Sequence, residues 1–296
     1  MPLEDQIVVV DKQDQAPVRY ERNEFPLARF LDRLDHFADG AFLCHWHKEF
    51  ELATVIQGRV EYHVGGKTFC LNPGDCIFIG AETFHSARQL TDGSIIFCID
   101  FLPSFLDLMC SPVLWQKYVK PICDQKIDSF FLSGRNEEIS EILNSLTNIN
   151  NYDINSYNYE LSCLKDILNI WSRLYSLFRE AAPQHLPDSD REARIRAMLS
   201  FIKDNFSSKI TVGEIARAAN VSRSECFRCF SHFCHTTPIE YVTSYRLQSA
   251  AHELTHSKRS IADICFSCGF SGQSYFGRAF RKAYGISPSE FRRRMT

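Results

Sequence analysis

Hydrophobic and polar positions change their period along the chain. Within residues 42–101, short apolar or alternating runs are punctuated by turn signals, which predicts closely spaced β-strands. Gly65-Gly66 separates Val60–Val64 from Lys67–Leu71 and reads as a two-residue hairpin turn, since both positions must accept positive φ. Asn72-Pro73-Gly74-Asp75 marks another turn before Cys76–Ile79. Strands this short and close argue for a small barrel or sandwich. Over residues 139–180 the period becomes helical. Leu161, Leu164, Leu168, Trp171, Tyr175 and Phe178 recur at steps of three and four, a seam that coils two helices together. Ile167, Ile170, Leu174 and Leu177 widen it, so one face can pack on the strands and another can meet a second subunit. A helix buried wholly within its own domain is the alternative. The longest apolar run, residues 95–99, is far too short for a bilayer, and no membrane partner is expected.

Residues 181–190 carry two prolines and no periodicity and read as a linker. They divide the chain into residues 1–182, a linker at 183–190, and residues 191–296. A length of 296 residues, 45% hydrophobic and 23% charged, suits a globular protein with two cores. No basic region precedes the first apolar run, and twelve cysteines are irregularly spaced. A cytoplasmic chain with reduced thiols is expected. The net charge of −3 conceals an asymmetry: residues 191–296 hold 17 basic against 8 acidic side chains, and the remainder holds 16 against 28. The basic segment is the candidate for a polyanionic partner.

That segment repeats itself. Thr211-Val212-Gly213-Glu214-Ile215-Ala216 aligns with Ser260-Ile261-Ala262-Asp263-Ile264-Cys265, and beyond a one-residue insertion Arg228 pairs with Arg278, Phe230 with Phe280 and Pro238 with Pro288. Thr211 with Glu214, and Ser222 with Glu225, read as capping boxes on either side of a left-handed turn at Asn220. This is helix-turn-helix spacing. The second copy uses Gly269 as its turn residue and Ser271 as its expected cap. Residues 238–254, free of internal Gly or Pro, read as one helix about 25 Å long. It would hold two recognition helices about one DNA turn, ~34 Å, apart.

Ile261-Ala262-Asp263-Ile264, Gly269-Phe270, Tyr275-Phe276-Gly277-Arg278-Ala279-Phe280-Arg281-Lys282, Gly285-Ile286-Ser287-Pro288 and Phe291-Arg292 together resemble the signature of the AraC/XylS family of bacterial transcription regulators. The first copy departs from it: His235 stands where the family usually has glycine, and Cys226 and Cys229 replace larger apolar residues. The resemblance implies base-reading positions at Ser224, Phe227 and Arg228 in the first unit, and at Gln273, Ser274, Gly277 and Arg278 in the second. An arginine fork suits guanine and a glutamine amide suits adenine. Arg223, Lys258, Arg281 and Lys282 are better placed for phosphates. For Arg228 and Arg278 the competing reading is a salt bridge to the connecting helix. Double-stranded promoter DNA, a small-molecule effector, a homodimer through the N-terminal helices and RNA polymerase are the implied partners. The pairs Cys226/Cys229 and Cys265/Cys268 invite a zinc reading, but the repeat aligns them with small or apolar core positions.

In the first segment, Gly40-(x4)-His45-x-His47-(x3)-Glu51-(x6)-Gly58 resembles the first motif of the cupin superfamily, and Gly74-(x5)-Gly80-(x4)-His85 a degenerate second motif. His45 and His47 alternate along one strand and share a side. With Glu51 and His85 they would make a three-histidine, one-carboxylate site suited to Zn, Fe, Ni or Mn. A metal-free hydrogen-bonded cluster is the alternative. The barrel interior is the expected effector pocket, with Phe42, Trp46, Phe69 and Phe78 near enough in sequence to line it. The sequence thus predicts an α+β, two-domain chain: an N-terminal cupin-like β-barrel with dimerisation helices and a C-terminal all-α tandem helix-turn-helix domain. It reads as a non-enzymatic, effector-sensing regulator. The rivals are a metal-dependent cupin enzyme with an accessory DNA-binding domain, and a constitutive regulator without effector.

Overall fold

The computed structural model describes residues 18, 20, 22, 24–109, 112–125, 127–134, 137–180 and 189–295. Among the described residues, nine strands form two antiparallel sheets: β1 (Leu27–Arg33), β2 (Ala41–His45), β3 (Phe50–Gln57), β4 (Val60–Val64), β5 (Lys67–Leu71), β6 (Cys76–Ile79), β7 (His85–Gln89), β8 (Ile95–Phe101) and β9 (Ser129–Leu132). One sheet runs β1-β8-β3-β6-β9 and the other β2-β7-β4-β5. Gly65 and Gly66 take positive φ and turn β4 into β5, as their pairing requires.

Alternation along the strands explains why the larger sheet reads as almost continuously apolar. Ala53, Val55, Ile77, Ile79, Ile96 and Cys98 point inward, against Phe42, Val60, Tyr62 and Ala87 of the smaller sheet. Leu52, Phe78, Phe97, Ile99 and Phe101 point outward, beneath helices. Both faces are covered, so both are apolar. After α1 (Pro103–Met109), α2 (Pro112–Leu114), a π-helical turn at Trp115–Val119 and α3 (Lys120–Asp124), the covering helices are α4 (Glu137–Asn151) and α5 (Tyr159–Glu180).

The structure splits the expected seam on α5. Trp171 stacks on Phe50 at 5.4 Å, and Phe178 meets Phe78 at 5.1 Å, so both belong to the core of their own domain. Leu161 and Leu168 remain outside, 70% and 38% exposed. A core sheet with two apolar faces needs the larger side chains of α5 for itself, and only the remainder of the stripe is left to another partner.

The C-terminal region is entirely helical: α6 (Ser189–Asn205), α7 (Val212–Ala218), α8 (Arg223–Cys229) with a π-helical turn at Phe230–Cys234, α9 (Pro238–His256), α10 (Ile261–Ser267), α11 (Gln273–Tyr284) and α12 (Pro288–Met295). Of the expected linker 183–190, Ser189 and Asp190 already belong to α6; residues 183–188 lie outside the described residues. Thr211 and Glu214 form the expected capping box, and Thr237 with Glu240 forms another at the start of α9. Two caps differ. Ser222 accepts from the Glu225 N–H, but the Glu225 carboxylate turns to Arg191, Arg194 and Arg228 instead of closing the box. Gly272, not Ser271, is the N-cap of α11, with no side-chain bond.

Candidate functional site

The two helix-turn-helix copies present equivalent faces. Asn220 and Gly269 take positive φ in the turns between α7 and α8 and between α10 and α11. In α11, Phe276 and Phe280 are one turn apart and buried. That orientation leaves Gln273, Ser274, Arg278, Arg281 and Lys282 exposed, with Gly277 half-buried among them. In α8, burial of Cys226 and Cys229 likewise leaves Arg223, Ser224, Phe227 and Arg228 outward, and Phe227 is 44% exposed. Lys258 is exposed beyond α9. Arg228 is ion-paired to Glu225 of its own helix, not to the connecting helix. Arg278 borders a groove of about 700 Å³ between α9 and α11, shared with Tyr275, Lys282 and Asp39. Cys226 and Cys229 pack in the core of the first unit, and Cys265 and Cys268 in that of the second.

At one end of the barrel interior, His45, His47, Glu51 and His85 converge as the spacing predicts, all essentially without solvent contact. A bulge in β2 between Phe42 and His45 turns both inward although they are three residues apart, and pairs His45 directly with His85. His47 lies past the end of β2, in the connection to β3. Each Nδ1 faces a backbone carbonyl: Leu43 at 2.9 Å from His45, Glu49 at 3.2 Å from His47, Thr83 at 2.9 Å from His85. These contacts orient each ring so that its Nε2 points inward. Glu51 Oε2 lies 3.1 Å from His85 Nε2 and 3.4 Å from His47 Nε2.

Asp100, absent from the expected set, completes the cluster. It pairs in register with Glu51 across β3 and β8, and its Oδ2 is 3.9 Å from His47 Nε2. A single carboxylate inside the apolar run of β8 was the signal for it, because a charge is buried only with a partner. Burial pushes the Glu51 carboxyl up, but His85 and His47 outweigh it and hold it below the usual carboxylate range. Asp100 is driven well above that range by burial and then by Glu51. Burial, followed by His85 and His47, keeps His45 neutral. His45 Nε2, Glu51 Oε1 and both Asp100 oxygens have no hydrogen-bond partner. Of the four aromatics considered as lining, Phe42 borders the cluster, 5.5 Å from His45. Phe78 and Phe69 pack against Phe178 and Phe131, and Trp46 points out of the barrel.

That outward direction joins the two regions. Cys44, Trp46 and Phe84 alternate with His45, His47 and His85 and enter the core of the first helix-turn-helix unit. Arg196 of α6 lies 3.8 Å over the Trp46 ring and donates to the Glu82 carbonyl at 2.7 Å, while the Glu82 N–H donates to the His47 carbonyl. The Tyr241 hydroxyl donates to the Cys44 carbonyl at 2.9 Å. His235 holds a left-handed φ of 49° where glycine is usual, and its ring stacks on His63 of β4 at 3.7 Å. Ala38 packs with Leu247 and Phe280 of the second unit. None of these contacts was legible in the chain, because alternation assigns residues to a face without saying what covers it.

Residues 215–294 match the helix-turn-helix domain family and residues 37–100 the cupin domain family. The chain is 25% identical over 289 residues to an uncharacterised HTH-type transcriptional regulator, YdeC, of Bacillus subtilis (strain 168), covering 96% of this chain and 98% of that one. It is 27% identical over 252 residues to the HTH-type transcriptional activator RhaS of Mannheimia succiniciproducens, covering 84% and 88%. Among solved structures, apo ToxT from Vibrio cholerae aligns over 94% of this chain and all of that one, with 15% identity and a TM-score of 0.47.

Proposed function

Because the chain is an AraC-type helix-turn-helix transcription regulator with an N-terminal cupin domain, we propose that it binds promoter DNA through α8 and α11 under control of a ligand held in the barrel. The exposed, repeated faces of these two helices carry this reading. Gln273, Ser274, Gly277 and Arg278, with Ser224, Phe227 and Arg228, read base edges. Arg223, Lys258, Arg281 and Lys282 hold phosphates and set the register. The protein acts in the cytoplasm, as a homodimer through the exposed part of α5, and contacts RNA polymerase at the promoter.

The barrel acts as a sensor. Its unpartnered inward atoms favour a ligand over a purely structural, constitutive role, since orphaned polar groups cost about 1–3 kcal/mol each. Its burial beneath the helix-turn-helix core favours sensing over turnover of an organic substrate. The donor set fits a divalent Zn, Fe, Ni or Mn ion: His45, His47 and His85 offer oriented Nε2 atoms and Glu51 a carboxylate. A bound ion would supply the positive charge that these donors face. The two sides communicate through residues 44–47 and 83–85, which hold the cluster on one face and the first helix-turn-helix unit on the other.

Binding of the full chain to a duplex selected from a random pool, measured against salt, tests the reading. The logarithm of the affinity is expected to fall linearly with the logarithm of salt concentration, by about 0.9 per phosphate neutralised. Failure to retain any duplex at low salt contradicts it.

A further inference from the structure

We infer that the effector is itself a divalent first-row transition-metal ion, with Asp100 serving beside His45, His47, His85 and Glu51 as a fifth protein ligand. The inference rests on the sensor reading above and names its ligand.

Three observations converge. First, spacing selects an ion over an organic molecule. The donor atoms of His45, His47 and His85 lie within 4.8 Å of one another, as do those of His47, Glu51 and Asp100. Two ligands on opposite sides of one ion sit about 4.0–4.4 Å apart, at ~2.0–2.2 Å each. Polar atoms hydrogen-bonded to opposite sides of a single organic atom sit about 5.5–6 Å apart. The two triads share His47, and Glu51 bridges it to His85, so they form one continuous set.

Second, the cluster is not satisfied by its own hydrogen bonds. His45 Nε2, Glu51 Oε1 and both oxygens of Asp100 lack partners, and the side chains carrying them are 0–2% exposed. Within the cluster Asp100 meets His47 at 3.9 Å, and a second carboxylate, Glu51, is its paired neighbour across the sheet. A cation suits donors of this kind, whereas an anionic effector would meet two carboxylates. Two carboxylates also match the charge of a divalent ion, and five donors favour a metal that accepts more than four ligands.

Third, the ligands are wired outward. His45 and His47 flank Trp46, which carries Arg196, and His85 follows Phe84, which packs on Phe233. Drawing three imidazoles toward one ion therefore acts directly on the barrel residues that seat the first DNA-reading unit.

Full-length protein stripped of metal and titrated with Mn(II) and Co(II) tests this. One ion per chain is expected, with the weak visible Co(II) absorption of a five- or six-coordinate site. In Asp100→Asn the affinity should fall ~10–100-fold and the Co(II) spectrum should move toward a lower coordination number. Asp100→Glu, which keeps the carboxylate, should bind more tightly than Asp100→Asn. Mn(II) should change the affinity for the selected duplex at least ~5-fold, and Asp100→Asn should need correspondingly more Mn(II) for the same response. An Asp100→Asn protein with unaltered affinity and spectrum removes Asp100 from the ligand set. One bound ion without any change in DNA affinity refutes the ion as effector, and absence of ion binding by the wild type overturns the inference altogether. None of these results touches the regulator reading, which fails only if duplex is not retained under any metal condition.

Discussion

Arg228 and Arg278 hold equivalent positions in the two copies but not equivalent surroundings. Arg228 is tied to Glu225, which also draws in Arg191 and Arg194. Arg278 has no ion pair among the described residues and borders the open groove. To reach a base Arg228 must give up a partner, whereas Arg278 is free to offer its fork. Arg278→Ala is therefore expected to relax base preference at one operator position by ~1–3 kcal/mol, and Lys282→Ala to weaken all sequences alike and flatten the salt dependence. Competition between single-base operator variants separates the two. Equal losses on selected and random DNA for Arg278→Ala would remove its base-reading role. Gly277 adds a second clue at this scale: nothing lies within 4 Å of where its Cβ would stand. Packing does not require glycine there, and in a helix it costs up to ~1 kcal/mol against alanine. Close approach of the helix to a groove, as proposed above, would supply the missing reason.

Among the elements, α5 serves two surfaces unequally. Cys163, Ile167, Ile170, Trp171, Leu174 and Phe178 are spent on the barrel, leaving Leu161 and Leu168 exposed, the face proposed above to meet a second copy. Leu161→Lys with Leu168→Lys should yield a monomer with an unchanged unfolding temperature, as read by sedimentation equilibrium and thermal denaturation. An unaltered mass would place the dimer contact elsewhere. Legibility in the sequence followed the range of the forces involved. Local chemistry was readable: the Gly65-Gly66 hairpin, the Thr211–Glu214 box and the turns at Asn220 and Gly269 depend on residues a few positions apart. The cluster of His45, His47, Glu51 and His85 was readable because cupin motifs fix its spacing. The division of the α5 stripe, the turning of Glu225 toward arginines and the place of Asp100 were not, because each depends on an element distant in the chain. Even the odd residue of the first repeat, His235, has its explanation in His63, some 170 residues away.

Across the whole molecule, the barrel and the DNA-binding region are packed as one body over both helix-turn-helix units, through Cys44, Trp46 and Phe84 on the first and Ala38 on the second. The acidic balance of residues 1–190 and the basic balance of residues 191–296 favour a polyanion on the C-terminal region rather than on the barrel. On the proposed reading, such a seam would let a ligand in the barrel bias the spacing of the two recognition helices without touching DNA. Recognition as proposed requires α8 and α11 to engage successive turns of one duplex face. Hydroxyl-radical footprinting of the full chain on its selected duplex measures this directly. Two protected segments about ten base pairs apart on the same face, for each protomer, are the predicted result. Protection of a single segment per protomer would contradict it.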